Sequence, residues 1–220
     1  MTNVVLIYKK GGDFRISDVV LLATNLAKRS DVHVYCFTDA IIQSYELIDL
    51  TLIPLPTAWD GWWSKLNLFS PELENLRPFL FMDLDTAVVG SIDSLVVEID
   101  QTKLITLEDF YRKGVLASGV MWIPKDSEKV KKVWENWIVN PKANISRFKG
   151  DMQFIGSIIA ADEFFQNFTL KIGSFKPIAG KGWLKELPAE KSVICFHGQP
   201  RIPKAAETVE WVHKYMNDEL

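Results

Sequence analysis

Residues 79–90 read Phe79-Leu80-Phe81-Met82-Asp83-Leu84-Asp85-Thr86-Ala87-Val88-Val89-Gly90. An apolar run ends in two carboxylates one residue apart, and a second apolar run follows. A short continuous apolar run fits a strand buried on both faces of a sheet. Stability alone gives no reason for two acids at its end. Like charges at one low-dielectric edge repel, and each is costly to desolvate. One reading is a strand end whose acids simply point into water. The other is a binding site, because a divalent cation such as Mn²⁺ or Mg²⁺ offsets both penalties through hard oxygen ligands. The apolar runs on both sides favour the site.

Upstream of this strand, the chain alternates strand and helix. Val4 to Tyr8 reads as a strand and Lys9-Lys10-Gly11-Gly12-Asp13 as a polar loop. A helix runs from an N-cap at Ser17 to about Arg29, with Asp18 in its first turn and Lys28 and Arg29 in its last. Val32 to Phe37 is a second strand closed by Thr38-Asp39, and Thr51 to Leu55 a third ended by Pro56. This order predicts an α/β fold with parallel strands in the N-terminal half. Downstream, Leu104 to Leu107 and Ser118 to Ile123 are strands, and Ser127 opens an amphipathic helix. Its stripe is Val130, Val133, Trp134, Trp137 and Ile138. Asp151 to Ala161 is a further helix, Val193 to Phe196 a late strand running into His197-Gly198, and Ala205 to Met216 a last amphipathic helix.

The bulk composition sets limits. With 220 residues, 48% hydrophobic and 24% charged, no repeat and no linker, the chain reads as one soluble globular domain over 1–220. A net charge of −3 argues against a nucleic-acid-binding surface. The N-terminus lacks the pattern of a signal peptide, and no apolar run approaches the roughly 18 residues of a membrane span. Cys36 and Cys195 both lie in apolar strand-like runs, which predicts two free buried thiols and a reducing, cytoplasmic setting. No Gly-x-Gly-x-x-Gly follows the first strand, which disfavours a Rossmann dehydrogenase.

Four segments, in order, bring a family into view. They are the first strand with Tyr8-Lys9-Lys10, then Asp83-Leu84-Asp85, then Ser118-Gly119-Val120-Met121, and last His197-Gly198-Gln199-Pro200 with Lys204 behind. On these the chain resembles nucleotide-sugar glycosyltransferases of the GT-A fold, closest to the glycogenin-like family 8 group, and small stand-alone GT-A domains of bacteria and large DNA viruses. The resemblance implies a Rossmann-like α/β domain with a mixed, mostly parallel central sheet flanked by helices. Residues 1–100 would form its nucleotide-binding half and 101–220 its donor-sugar and acceptor half. The implied activity is metal-dependent transfer of a hexosyl or deoxyhexosyl group from a UDP-sugar to a glycan or glycoconjugate acceptor. A non-catalytic sugar-nucleotide-binding module and a nucleotidyltransferase are the alternatives, and GDP is not separated from UDP.

The resemblance also assigns residues. Asp83, Asp85 and His197 would hold Mn²⁺, with Mg²⁺ the alternative, and Leu84 would stand between the acids against the nucleotide. A cation there neutralises charge as the diphosphate leaves. Lys204, or Arg201 in its place, would meet the diphosphate, and Gly198 would let the backbone approach it. Tyr8, Lys9 and Asp39 match the nucleoside-binding region. Lys65 stands where the family often has a basic residue ahead of the acid pair. Ser118 and Gly119 match the donor-sugar segment, although Ala117 replaces its usual Asn. Asp151 would contact sugar hydroxyls or the acceptor, and it reads equally as an acid at a helix N-terminus. Met152 takes the place of the family's polar residue near the anomeric carbon, unless the register slips to Gln153. Trp59, Trp62 and Trp63 read either as acceptor-stacking surfaces or as core.

Overall fold

The acid pair is the joint between two sheets. In the computed structural model of the chain, which describes residues 1–40, 50–176 and 182–220, Asp83-Leu84-Asp85 separates β4 from β5. The elements before it are β1 (Thr2–Tyr8), α1 (Ile16–Arg29), β2 (Val32–Thr38), β3 (Leu50–Pro54) and two 3-10 helices (Gly61–Phe69 and Pro71–Leu76). Then come β4 (Phe79–Met82), β5 (Thr86–Val88), α2 (Asp93–Val97), β6 (Ile105–Glu108) and β7 (Leu116–Ile123). The chain continues through α3 (Glu128–Val139), α4 (Pro141–Arg147), α5 (Asp151–Ile158), β8 (Glu163–Phe164) and β9 (Ile172–Ser174). It closes with β10 (Val193–Cys195), α6 (Ile202–Ala206) and α7 (Glu210–Met216).

The main sheet has seven strands in the order β3-β2-β1-β4-β7-β6-β8. All its pairs are parallel except the two made by β7, which runs against β4 and β6. The second sheet, β5-β10-β9, has three strands. The two apolar runs around the acids therefore serve different sheets. β4 shows why its run is unbroken. Leu80 and Met82 enter the core on the α1 side, and Phe79 and Phe81 enter the core on the α3–α5 side. Each such side chain contributes about 1.5–3 kcal/mol of burial, so polar substitution anywhere in the run is costly. A third cluster packs Phe175, Phe196 and Ile194 against Ile202, Trp211 and Tyr215 of α6 and α7.

Strand order reverses beside β1, whose neighbours are β2 and β4. Open α/β sheets bind ligands at the carboxyl ends of strands at such a reversal. β1 ends there at Tyr8 and β4 at Met82, while the antiparallel β7 brings its opening residues to the same edge.

Some sequence expectations need correction. Ser17 does not cap α1. Arg15 takes the cap position, and its N–H donates to Asp18 Oδ2 at 2.7 Å. Ile138 falls on the exposed side of α3, whereas Val130, Val133 and Trp137 are buried. The last helix is broken into α6 and α7, which lets Ile202 and Ala205 on one piece and Trp211, Val212 and Tyr215 on the other reach one core. Cys36 and Cys195 are free and buried, as expected. Among the described residues, no helix is long and apolar enough to cross a membrane.

Candidate active site

The strand ends surround a cavity of about 500 Å³. Its floor is a buried polar network. The Asp83 N–H donates to Gly119 O at 2.8 Å, which fixes the first acid against β7. Lys65, on the 3-10 helix Gly61–Phe69, donates to Asp83 Oδ2 at 2.9 Å and Ser118 Oγ at 3.2 Å. Its ammonium also lies 3.3 Å from Asp151 Oδ2, and Ser118 Oγ donates to that same oxygen at 2.5 Å. Burial works against the Lys65 ammonium, but the Asp151 and Asp83 carboxylates outweigh it and hold its pKa above the ordinary lysine value. Burial pushes the Asp83 carboxyl up, with Lys65 opposing and the Asp85 charge adding to the rise. Lys65 is only 9% exposed, while Asp83 keeps 30% of its side chain open to the cavity.

The far wall comes from the second sheet. Asp85 O accepts the Phe196 N–H at 2.8 Å, so the second acid is tied to the end of β10. The Asp85 carboxylate accepts from Arg201 Nη1. Arg201 also reaches Asp13 Oδ2 at 3.3 Å and lies over the Phe14 ring at 4.8 Å. Burial raises the Asp85 carboxyl, against the pull of Arg201 and then Lys65.

His197 follows β10 directly. Its Nε2 lies 2.6 Å from Ser174 Oγ. Its ring stacks on Phe110 at 5.2 Å and meets Tyr111 edge-on at 5.2 Å. Lys176 Nζ donates to the carbonyls of His197 and Gln199. Gly198 turns the chain with φ +74°, a conformation side chains rarely adopt.

Burial, then the Lys176 charge, lowers the His197 pKa to about 4. The imidazole is therefore neutral at physiological pH, the form that can ligate a metal. The unfolded chain takes up this proton near pH 6.5 and the folded chain only near 4, so the stability contribution is lost as pH falls through that window. NMR of the His197 ring should show no titration from pH 8 to 5. Between pH 6.5 and 4 the wild type should lose more stability than His197→Asn, and equal losses would refute the assignment.

Lys9, Lys65, Asp83, Leu84, Asp85, Ser118, Gly119, Asp151, His197 and Gly198 all line this one cavity. Three candidates do not. Tyr8 packs in the α1-side core, because alternation along β1 puts it on the face of Val4 and Leu6 while Ile7 and Lys9 face the cavity. Asp39 sits behind Lys9, accepting its ammonium at 2.5 Å and the Lys10 N–H at 2.8 Å. These two donors hold its carboxyl below the usual range despite slight burial. Lys204 turns along α6 to Glu207 at 2.5 Å, and Arg201 takes the place on the wall.

Met152 lines the cavity, whereas Gln153 Oε1 accepts the Lys149 N–H at 2.8 Å. Of the three tryptophans only Trp62 lines the cavity. Trp59 and Trp63 pack on Trp137. Sequence reasoning missed Ser174, Lys176, Phe110 and Tyr111 around His197, for which no local motif gives a signal.

The three residues that the resemblance assigns to a metal are brought together only in part. Asp83, Asp85 and His197 face one cavity, but among the described residues no three His, Cys, Asp or Glu side chains stand close enough to hold an ion as placed. Arg201 occupies Asp85 and Ser174 holds His197. The chemistry of the donors nonetheless fits Mn²⁺: two carboxylates that burial pushes up and one neutral imidazole.

This fold, a mixed, mostly parallel sheet flanked by helices, is that of GT-A glycosyltransferases. Solved structures that align with nearly the whole chain belong to that class. One is GlyE of Streptococcus pneumoniae TIGR4, with 14% identity and a TM-score of 0.66, covering 98% of this chain and 60% of that one. Another is an active-site mutant of LgtC, with 10% identity, a TM-score of 0.67 and coverage of 99% and 96%. LgtC has also been solved as a galactosyltransferase with donor and acceptor sugar analogs, at a TM-score of 0.63. The chain thus spans about 60% of the GlyE chain. No protein-family model and no curated protein sequence matches the chain.

Proposed function

We propose that this chain is a metal-dependent glycosyltransferase moving a sugar from a UDP-sugar to a carbohydrate acceptor. The observation that carries the reading is the joint between the sheets. There two partly buried acids and an imidazole from a distant loop open into one cavity over the Lys65–Asp151–Ser118 network. Asp83, Asp85 and His197 would hold Mn²⁺, or Mg²⁺ in its place. When bound, the ion supplies charge neutralisation for the departing diphosphate.

The protein's own groups do the rest. Arg201 gives the diphosphate a planar two-pronged donor on the wall, the alternative the sequence offered beside Lys204. Lys9 at the end of β1, braced by Asp39, lies on the nucleoside side. Ser118 and Lys65 fix the Asp151 carboxylate toward sugar hydroxyls. The thioether of Met152 offers no strong donor or acceptor, so hydroxyl recognition there falls to Asp151 and Ser118.

Thermal-shift screening of UDP- and GDP-sugars with and without Mn²⁺ tests this. A nucleotide sugar at about 100 Kd adds about 2.7 kcal/mol, which is about 5–10 °C for a domain of this size. The expected result is such a shift with one UDP-sugar, only when Mn²⁺ is present, followed by NMR detection of transferred sugar and free UDP. A shift without turnover would identify a binding module. No shift with any nucleotide sugar would reject the proposal.

A further inference from the structure

One side chain at the cavity mouth is left over by the donor side of this chemistry. The 3-10 helix Gly61–Phe69 opens at Gly61, with φ +55°. In such a helix residues i and i+3 eclipse, so Trp62 stands over Lys65 on one face, and both line the cavity. Trp63 points into the core and stacks on Trp137 at 5.3 Å. Trp62 is 59% exposed, and among the described residues no aromatic side chain is more so. Its indole Nε1–H has no hydrogen-bond partner among them.

The ring lies beside Gly150, where an added Cβ would stand 3.4 Å from Nε1 and 3.8 Å from Cδ1 and Cε2. Gly150 is the residue before Asp151. An indole left in water forgoes a large apolar burial, and core packing does not ask for it, since Trp59 and Trp63 already fill that role. An exposed aromatic plane beside Gly150 therefore lines the same cavity as the buried Asp151 carboxylate and the Ser118 hydroxyl.

We infer that Trp62 is the platform of the acceptor site, and that the acceptor is a pyranoside. Its C–H face lies on the indole and one of its hydroxyls is directed at Asp151. A pyranose ring suits this pairing because it carries an apolar C–H face and a rim of hydroxyls. A nucleoside base also stacks on indole, but the nucleotide side of the cavity is the β1–β2 edge at Lys9 and Asp39, whereas Trp62 is packed on the α5 side at Gly150. Stacking of the size of an aromatic pair, about 0.5–1.5 kcal/mol, corresponds to about a twofold to twelvefold change in acceptor affinity. This inference rests on the glycosyltransferase reading.

Two measurements on the intact protein test it. In the first, the chain is labelled with 5-fluorotryptophan, and the Trp62 resonance is assigned by its loss in Trp62→Phe. Methyl α- and β-glycosides of glucose, galactose and mannose are then titrated in the presence of UDP and Mn²⁺. The expected result is a saturable shift of the Trp62 resonance with at least one glycoside. Absence of any shift overturns the inference. In the second, each variant is given the active UDP-sugar, and transfer to that glycoside is compared with hydrolysis to free sugar. Trp62→Ala should lower the ratio of transfer to hydrolysis about tenfold, and Trp62→Tyr should restore most of it. Transfer and hydrolysis falling in the same proportion would place Trp62 on the donor and overturn the inference. Failure of the glycosyltransferase reading looks different: wild-type protein would then bind and consume no nucleotide sugar.

Discussion

Asp85→Asn should reduce kcat/KM for sugar transfer about a thousandfold while shifting Tm by no more than a few degrees. The activity loss follows from position. Asp85 is one of two acids at the sheet joint, and it faces the cavity beside His197 and Arg201. Removing one preorganised electrostatic contribution at a reacting centre costs about 2.7–4 kcal/mol, or 10² to 10³ in rate. Loss of a metal ligand lies at the upper end of that range. The modest stability change follows from the pKa. Burial raises the Asp85 carboxyl, and its charge also raises that of Asp83, so the folded state gains little from its ionised form. The ion pair with Arg201 roughly offsets its own desolvation. Steady-state kinetics and calorimetry on one preparation check both halves. Activity within tenfold of wild type would refute the role of Asp85, and a Tm loss above about 8 °C would show that it is structural.

Lys65→Met should do the reverse to stability. This variant keeps the stem volume and removes the one cation that, among the described residues, touches both Asp83 and Asp151. Two partly or fully buried carboxylates are then left facing each other. Breaking a buried pair from one side costs about 3–5 kcal/mol, which for this size is about 10 °C in Tm. Activity should fall as well, because Ser118 and Asp151 lose their shared partner. The double variant Lys65→Met/Asp151→Asn should recover at least about 1 kcal/mol relative to the sum of the single changes. A Tm loss under 2 °C, or strict additivity, would mean that water already satisfies these carboxylates.

Much of the fold was legible because its signals are local. The run Phe79–Met82 is apolar at every position, and the structure buries alternate residues on opposite faces of the sheet. The α3 stripe and the Ser127 cap follow from helical spacing, with Ser127 Oγ accepting the Val130 N–H at 3.4 Å. The core placement of Tyr8 was legible from period-two alternation, since Val4, Leu6 and Tyr8 share a face. The choice between Lys204 and Arg201 was not readable: Lys204 lies one helical turn from Glu207, which pairs with it locally, while Arg201 precedes α6 and turns inward. That Val88 and Met82 belong to different sheets was not readable, because an apolar run does not say which neighbour it pairs with. Around His197 the decisive partners are long-range. Ser174 is 23 residues away, and Phe110 and Tyr111 arrive from the loop between β6 and β7.

The central claim is that Asp83, Asp85 and His197 share a cation when the diphosphate is present. Anomalous diffraction at the manganese edge, on crystals grown with UDP and Mn²⁺, tests it most directly. The account predicts one strong peak bounded by those three side chains, with the Arg201 guanidinium moved off Asp85 and onto the phosphates. A map with no peak there, UDP bound, and Arg201 still paired with Asp85 would contradict it.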